Sequence, residues 1–533
     1  MTLLDVNSLN VSIGGSPILS SVSLQLENGE ILGLAGESGS GKTMTAMAIA
    51  GLLPANAQMS GEVALDGVQL SDAGETDFCV IRGSEIGIVF QEPMTALNPL
   101  MTIGDQVAET VRVHRQVSRR EARRLARETL NKVGLPESHF SMDRYPHSLS
   151  GGQRQRVSIA IAIVLKPKLL IADEPTTALD VTTQAEILTL FRRLVRDDGI
   201  GLLLVTHDLA VISETADRVV IMQSGEIVEQ GSADNVFQQS SQPYVQTLLK
   251  NAVHVPVRKV SSRIGSAPVL ETSEVVREYA GSGGLFSRGT ALRAVDNVSL
   301  QVFPNENVGL VGESGCGKST LLRTILGLDR AQAGEVRVFG KTFPAQSREE
   351  MRTLRQRIQV VFQDPFGTFD PRWSVGQIIS ENFHLFDSPP VGKEARRKID
   401  EILERVGLNS FHAKQFPHEF SGGQRQRIAI ARALITEPAI IALDEAVSAL
   451  DVSVRARILD LLADLSDRLG VSYLFVTHDL SVVRSITDRV LVMKEGRIVE
   501  DGNTADVFAD PRHPYTIELL AAVPDLQRVV SNA

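Results

Sequence analysis

Glu30-Ile31-Leu32-Gly33-Leu34-Ala35-Gly36-Glu37-Ser38-Gly39-Ser40-Gly41-Lys42-Thr43 is the stretch that decides how this chain folds. The first six residues read as a buried strand, the next eight match GxxxxGK[ST], and residues 44–53 read as the helix that follows. A strand, a glycine-rich turn and a helix N-terminus in that order make a phosphate receptor. The glycines let backbone N–H groups close on phosphate oxygens, the lysine reaches the β/γ oxygens, and the hydroxyl is placed for Mg²⁺. Gly312-Glu313-Ser314-Gly315-Cys316-Gly317-Lys318-Ser319 repeats the pattern past the midpoint. The chain is therefore expected to hold two nucleotide sites.

The repeat extends beyond these loops. Ser150 and Ser421, Asp173 and Asp444, and His207 and His478 each stand 271 positions apart, whereas Gly36 and Gly312 stand 276 apart. The second half thus carries a few extra residues early on, in the Gly/Ser-rich stretch 279–289. A duplication of this length is a pair of domains and not a short-period solenoid. The expected division is a first domain over 1–250, a linker over 251–267 with Pro256 and several serines, and a second domain over 268–533. Short apolar runs such as 169–172 and 202–205 read as parallel strands, and a mainly helical pattern fills 103–133. The expected fold class is α/β, with a parallel core sheet and an inserted helical portion in each half.

Two further motifs in each half carry chemistry. Asp173-Glu174 and Asp444-Glu445 end apolar runs. The aspartate there is placed to hold a metal, and the glutamate, which points elsewhere, to polarise an attacking water. Ser150-Gly151-Gly152-Gln153 and Ser421-Gly422-Gly423-Gln424 each open a helical pattern. A serine cap followed by two glycines bares N–H groups at the positive end of a helix, which is a second anion receptor. One half has no need of two such receptors unless the second serves the nucleotide of the other half.

Composition bounds the remaining choices. The 533 residues are 43% hydrophobic and 22% charged, as in ordinary globular domains, and the net charge of −10 gives no electrostatic case for a nucleic-acid surface. Arg112, Arg115, Arg119, Arg120, Arg123, Arg124 and Arg127 interleave with Glu121 and Glu128, the pattern of a solvated helix face. Cys79 and Cys316 are the only cysteines, so a disulfide framework, a zinc site and an iron–sulfur cluster are unsupported and a reducing compartment fits. The N-terminus lacks a signal-peptide layout, and no apolar run reaches the roughly 18–20 residues of a membrane span.

With these motifs in place, nearly the whole chain resembles the ATP-binding subunits of ABC transporters. Both halves add a glutamine after Val-Phe (Gln91, Gln363), an Ala-Leu-Asp loop (Asp180, Asp451) and a histidine in Val-Thr-His-Asp (His207, His478). The resemblance implies two tandem P-loop domains, each with a parallel core sheet, an antiparallel β part and a helical subdomain. It implies that ATP and Mg²⁺ bind between the halves, arranged head to tail, with each phosphate loop covered by the other half's Ser-Gly-Gly-Gln. Glu174 and Glu445 would be the general bases, and His207 and His478 would contact the γ-phosphate. Thr43, Asp173 and Gln91, and likewise Ser319, Asp444 and Gln363, would hold Mg²⁺, with the two glutamines linking each site to the membrane partner. Tyr279 would stack on adenine in the second half, whereas Ile13 stands in the equivalent place of the first.

Finer features resemble the dipeptide/oligopeptide branch of ABC importers: the loops after Gln91 and Gln363, and the tails Gln242-Pro243-Tyr244 and His513-Pro514-Tyr515 with their following Leu-Leu pairs. Taken alone, Pro-Tyr before Leu-Leu is only a helix start with an apolar face. That resemblance implies uptake of di- or oligopeptides, or of glutathione, nickel chelates or opine-like solutes. It implies partnership with two transmembrane permease subunits and an extracytoplasmic solute-binding protein, no nucleic acid, and a peripheral place on the cytoplasmic face of a bacterial inner membrane. The competing class is a soluble twin-ATPase translation or DNA-repair factor, which would bring a long charged linker, zinc cysteines or a long coiled coil, and the Pro-Tyr tails argue against an exporter.

Overall fold

The computed structural model describes residues 2–91, 93–177, 179–258, 266–281, 289–448, 450–524 and 526, with the side chains of 93, 94, 280, 281 and 289–291 left aside. Most of the Gly/Ser-rich stretch 279–289, the middle of the expected linker, Glu92, and Ala178 and Ala449 of the two Ala-Leu-Asp loops lie outside the described residues.

Each half builds the same two sheets. In the first half a six-stranded sheet runs in the order Glu226–Ser232, Arg218–Gln223, Ile31–Ala35, Gly201–Val205, Leu169–Asp173, Ile86–Val89. All neighbours are parallel except the edge strand Glu226–Ser232, which returns antiparallel. A four-stranded antiparallel sheet formed by Thr2–Ile13, Ser16–Glu27, Ala57–Leu65 and Val68–Gln69 lies beside it. The second half repeats both, with Asn307–Val311 in the place of Ile31–Ala35.

Period-two burial explains why the parallel strands are mainly apolar. Leu202 and Leu204 face the core shared with the helical portion, while Leu203 and Val205 face the antiparallel sheet. A strand buried on both faces admits a polar side chain only where a partner satisfies it, as the Ile486 carbonyl does Asn307 Nδ2. Ile31–Ala35 sits inside the sheet with every residue buried, so its carboxyl end opens at the point where the strand order reverses, which is where α/β sheets place ligands.

The helical portion is a pair, Ile103–His114 and Arg119–Lys132, packed on the helix Gly151–Ile163. Thr102 and Ser118 cap the pair by accepting from the N–H groups of Asp105 and Glu121. The arginine-rich face is ion-paired at the surface: Arg123 reaches Asp105 at 2.6 Å and Asp143 at 2.8 Å, and Arg124 bridges Glu121 and Glu128. The helix after the first phosphate loop runs Lys42–Ile49, starting and stopping earlier than the apolar pattern suggests. Gly41, at φ 103°, takes the left-handed turn that lets the helix begin at the lysine.

The halves touch through their ends. The tail helix Pro243–Ala252 lies along the second-half helix Val452–Leu469, with Asn251 Nδ2 donating to Ser453 Oγ at 2.9 Å and His254 Nε2 2.6 Å from Asp460. Leu526 is buried in a first-half cluster with Leu209, Val245 and Leu249, and Val181 in a second-half cluster with Val483, Tyr515 and Leu519. Arg258, at the start of the linker, is held by the Asp488 carboxylate and the Ile486 carbonyl. Among the described residues no helix is long and apolar enough to cross a membrane.

Candidate functional site

Four parallel strands end at one place in each half. In the first, Ala35 leads into the phosphate loop, Asp173 closes its strand, Val205 leads to His207, and Val89 leads to Gln91. The same convergence holds for Val311, Asp444, Val476 and Val361. Residues scattered over some 170 positions of sequence therefore meet because strand order, not chain order, sets their neighbours.

The phosphate loops have no room for side chains at their first glycine. A Cβ on Gly36 would sit 2.3 Å from the Met222 carbonyl, and one on Gly312 would sit 2.1 Å from that of Met493. Lys42 Nζ donates to the carbonyls of Gly36 and Glu37, both at 2.8 Å, and Lys318 does the same at 2.6 and 2.8 Å. Burial lowers the Lys42 pKa, opposed by the charges of Glu174, Asp451 and Asp173. Asp451 belongs to the other half.

The acidic pair divides its work by environment. Asp173 is buried and pushed up to about 6 by desolvation, against a hydrogen bond from Thr43 Oγ1 at 3.3 Å. Asp444 is likewise pushed up to about 6 by burial. Lys42 offsets the burial of Asp173 only in part, and the hydroxyl beside Asp173 supplies a second oxygen of the kind Mg²⁺ takes. Among the described residues no cluster of three or more His, Cys, Asp or Glu side chains forms a metal cage. The arrangement fits a Mg²⁺ completed by water and phosphate oxygens, as that ion prefers.

The adjoining glutamates go the other way. Burial drives Glu174 upward, but the hydrogen bond and charge of His207, with help from Thr177 and Lys42, outweigh it and hold the carboxyl below its ordinary value. His207 Nδ1 lies 2.9 Å from Glu174 Oε1, and Gln91 Nε2 and Thr177 Oγ1 donate to Oε2 at 2.6 and 3.0 Å. Burial pulls His207 down, yet Glu174 more than restores it and its pKa is raised. Glu445 repeats this with His478 at 3.0 Å and Gln363 at 2.8 Å, and its pKa too is lowered against burial. Glu174 and Glu445 stand at φ 46° and 47°, a left-handed backbone that side chains disfavour, pinned by N–H bonds of 2.8 Å to Val205 O and Val476 O. The strained turn aims each carboxylate into the space at the strand ends.

The Ser-Gly-Gly-Gln starts form as capped helices. Ser150 and Gln153 satisfy each other's backbone N–H groups, and Ser421 donates its N–H to Gln424 Oε1 at 3.0 Å. Ser150 and Gly151, and Ser421 and Gly422, are exposed. Gly152 and Gly423 are required by packing: a Cβ on either would lie 2.3 Å from Thr183 or Val454 of the adjoining helix.

The halves meet across the loops through aspartates that the motif reading left out of the site. Ser38 N–H donates to Asp451 Oδ1 at 2.7 Å, and Ser314 N–H to Asp180 Oδ2 at 3.4 Å. A cleft lined by Gly36, Glu37 and His207 of one half and Asp451 and Val452 of the other lies at the first loop. Tyr279 is partly exposed, with its hydroxyl on Asp329 at 3.1 Å and the Arg277 guanidinium 4.6 Å over its ring. Tyr244 and Tyr515 were also missed: each phenol accepts the N–H of the second residue of its own half's phosphate loop, Glu37 at 3.4 Å and Glu313 at 3.0 Å. The sequence marked these residues only as members of the Ala-Leu-Asp loops and Pro-Tyr tails, which obey the same 271-residue offset, and not as contacts of the phosphate loops.

The "ABC transporter" family model matches residues 19–177 and again 295–448, and the model "Oligopeptide/dipeptide transporter, C-terminal region" matches 499–531. The glutathione import ATP-binding protein GsiA of Salmonella choleraesuis (strain SC-B67) is 43% identical over 559 residues, covering 98% of this chain and 89% of that protein. GsiA of Escherichia coli (strain K12) is 43% identical over 535 residues, covering 94% of this chain and 86% of its own. Among solved structures, the ATP-binding cassette MJ0796 bound to ADP and Pi is 30% identical, covers 44% of this chain and 98% of its own, and has a TM-score of 0.40.

Proposed function

The chain belongs to the ABC transporter family as the ATP-hydrolysing subunit of an importer, and from that premise we propose that it drives uptake of small peptides, with glutathione the first candidate, at two composite ATP sites. The observation that carries the composite reading is the reciprocal contact of each phosphate loop with the other half's aspartate, Ser38 with Asp451 and Ser314 with Asp180. Support for a peptide-class solute comes from the match of residues 499–531 and from the name of the 43%-identical relatives.

In this reading residues 1–250 and 268–533 are the two nucleotide-binding domains, joined by 251–267 and paired head to tail within one chain. Phosphates lie on the N–H groups and the lysine of residues 36–43 or 312–319. Ser421-Gly422-Gly423-Gln424 closes over the first site and Ser150-Gly151-Gly152-Gln153 over the second. Thr43 and Asp173 with Gln91, or Ser319 and Asp444 with Gln363, hold Mg²⁺, which when bound neutralises charge between the β- and γ-phosphates. Glu174 and Glu445, kept ionised by their histidines, accept a proton from the attacking water. His207 and His478, held by the same hydrogen bonds, face the γ-phosphate. Gln91 and Gln363 hydrogen-bond those glutamates, so a push on their loops by a permease reaches the base directly. Tyr279 is the candidate for adenine stacking in the second half.

The permeases that an importer subunit implies would be two membrane proteins fed by an extracytoplasmic solute-binding protein, with this chain peripheral on the cytoplasmic face. The test is uptake by the reconstituted transporter with its cognate binding protein. Labelled glutathione or short peptides should be accumulated and should stimulate ATP turnover. Stimulation by nickel chelates or opine-like solutes, with none by peptides, would overturn the peptide reading.

A further inference from the structure

The tail helices are the part of the chain that the ATP machinery does not explain. Each begins at a proline in its first turn, Pro243–Ala252 and Pro514–Ala521, and each presents a tyrosine at its second position. Tyr244 and Tyr515 reach back to accept the N–H of Glu37 and Glu313, at 3.4 and 3.0 Å. That N–H sits at the neck of the loop, next to the glycine whose carbonyl binds the loop lysine. The same helices lean on the opposite half: Pro243–Ala252 on Val452–Leu469, and Pro514–Ala521 on Val181–Asp198. Those two helices start immediately after Asp451 and Asp180, the aspartates that cross to the loops.

We propose that Tyr244 and Tyr515 are positioning residues for ATP, each phenol holding the neck of its own phosphate loop while its helix rests on the opposite repeat. The proposal rests on the reading of these loops as ATP sites. A loop that must present several N–H groups to phosphate at once loses affinity when its neck is free to turn. A tail that contacts both its own loop and the other half makes the loop's shape depend on how the halves are docked. The two tails are not equal. Tyr515 is 3% exposed and its ring lies under Lys494 Nζ at 4.6 Å, whereas Tyr244 is less buried, its bond is longer, and Gln223 stands where Lys494 stands in the other half. Burial raises the pKa of both phenols, so both remain neutral acceptors at working pH. The second loop is therefore the more firmly held.

The experiment is Tyr515→Phe and Tyr244→Phe in the full chain, which remove one oxygen and keep the ring. Fluorescent ATP analogue binding is measured with the other loop disabled, Lys42→Ala beside Tyr515→Phe and Lys318→Ala beside Tyr244→Phe. Losing one such hydrogen bond should raise the second site's dissociation constant about three- to tenfold and the first site's about twofold. With both lysines intact, the KM for ATP should rise while kcat stays within about twofold. Unchanged affinity at both sites, with at most a lower thermal midpoint, would show that the tyrosines only pack and would overturn the proposal. If the parent Lys42→Ala and Lys318→Ala chains themselves failed to bind the analogue, the ATP reading would fall and this inference with it.

Discussion

Asp173→Asn should make the nucleotide-free chain more stable while impairing ATP hydrolysis at the first site. Asp173 is 8% exposed and its pKa is pushed from 3.8 to about 6, burial being the largest cause. A raised carboxyl pKa means that the folded state holds its proton more tightly than the unfolded chain does. Stability is therefore lost as pH rises from the unfolded value through the folded one, and the penalty is complete above about 6. A shift of about two units corresponds to about 3 kcal/mol at pH 8, falling to about half of that at pH 5 and to nothing once both states are protonated. Asparagine is isosteric, carries no charge, and keeps an oxygen for the Thr43 hydroxyl. The assay is thermal unfolding of the full chain without nucleotide, following the transition of the first half. A gain of about 3 kcal/mol in a domain of this size raises the midpoint by roughly 6–12 °C at pH 8. Adding MgATP should raise the first-half transition of the wild type more than that of the variant, whose second site is intact. An Asp173→Asn chain that melts at or below the wild-type temperature at pH 8, or whose gain does not shrink by pH 5, would refute the argument that burial of Asp173 outweighs the compensation by Lys42 and Thr43.

Glu174→Gln and Glu445→Gln, each alone, should lower ATP turnover about 10²- to 10⁴-fold at the altered site, since each removes the carboxylate hydrogen-bonded to its histidine; single-turnover hydrolysis that stayed at the wild-type rate would show that site's base to lie elsewhere. Asp451→Ala should strip Ser38 N–H of its partner and weaken the pairing of the halves at the first loop. The expected cost is about 1–3 kcal/mol, read as reduced cooperativity in ATP dependence, and Asp180→Ala, which loses a bond of 3.4 Å, should do less. Equal effects of the two would show that the contact geometry does not set the coupling.

Much of the site was legible because its motifs satisfy themselves locally. The glycines of residues 36–41 and the Ser-Gly-Gly-Gln caps write their backbone geometry into a few adjacent residues, and offsets of 271 to 276 showed that every motif occurs twice. The apolar runs announced parallel strands because a strand buried on both faces admits few polar positions. Helix boundaries were less legible: the run after Thr43 stays apolar to Leu53, but Gly51 at φ 65° turns the chain out of the helix. Tyr279 and the Arg277 guanidinium over its ring stand two residues apart on one strand and so share a face, whereas the Asp329 carboxylate on its hydroxyl comes from 50 positions away.

The sequence by itself determined that this protein has two phosphate loops, two acidic pairs and two capped Ser-Gly-Gly-Gln helix starts, because each depends on residue types at short fixed spacings. Only the tertiary structure decided which groups those motifs would meet. Ser38 finds Asp451 across 413 positions and Glu37 finds Tyr244 across 207. Whether a carboxylate is pushed up, as Asp173 is, or held down, as Glu174 is, depends on burial and on a histidine 33 residues away. The physical reason is range: steric and hydrogen-bonding rules along the chain act over a few residues, whereas desolvation and charge act through space on whatever the fold has brought near.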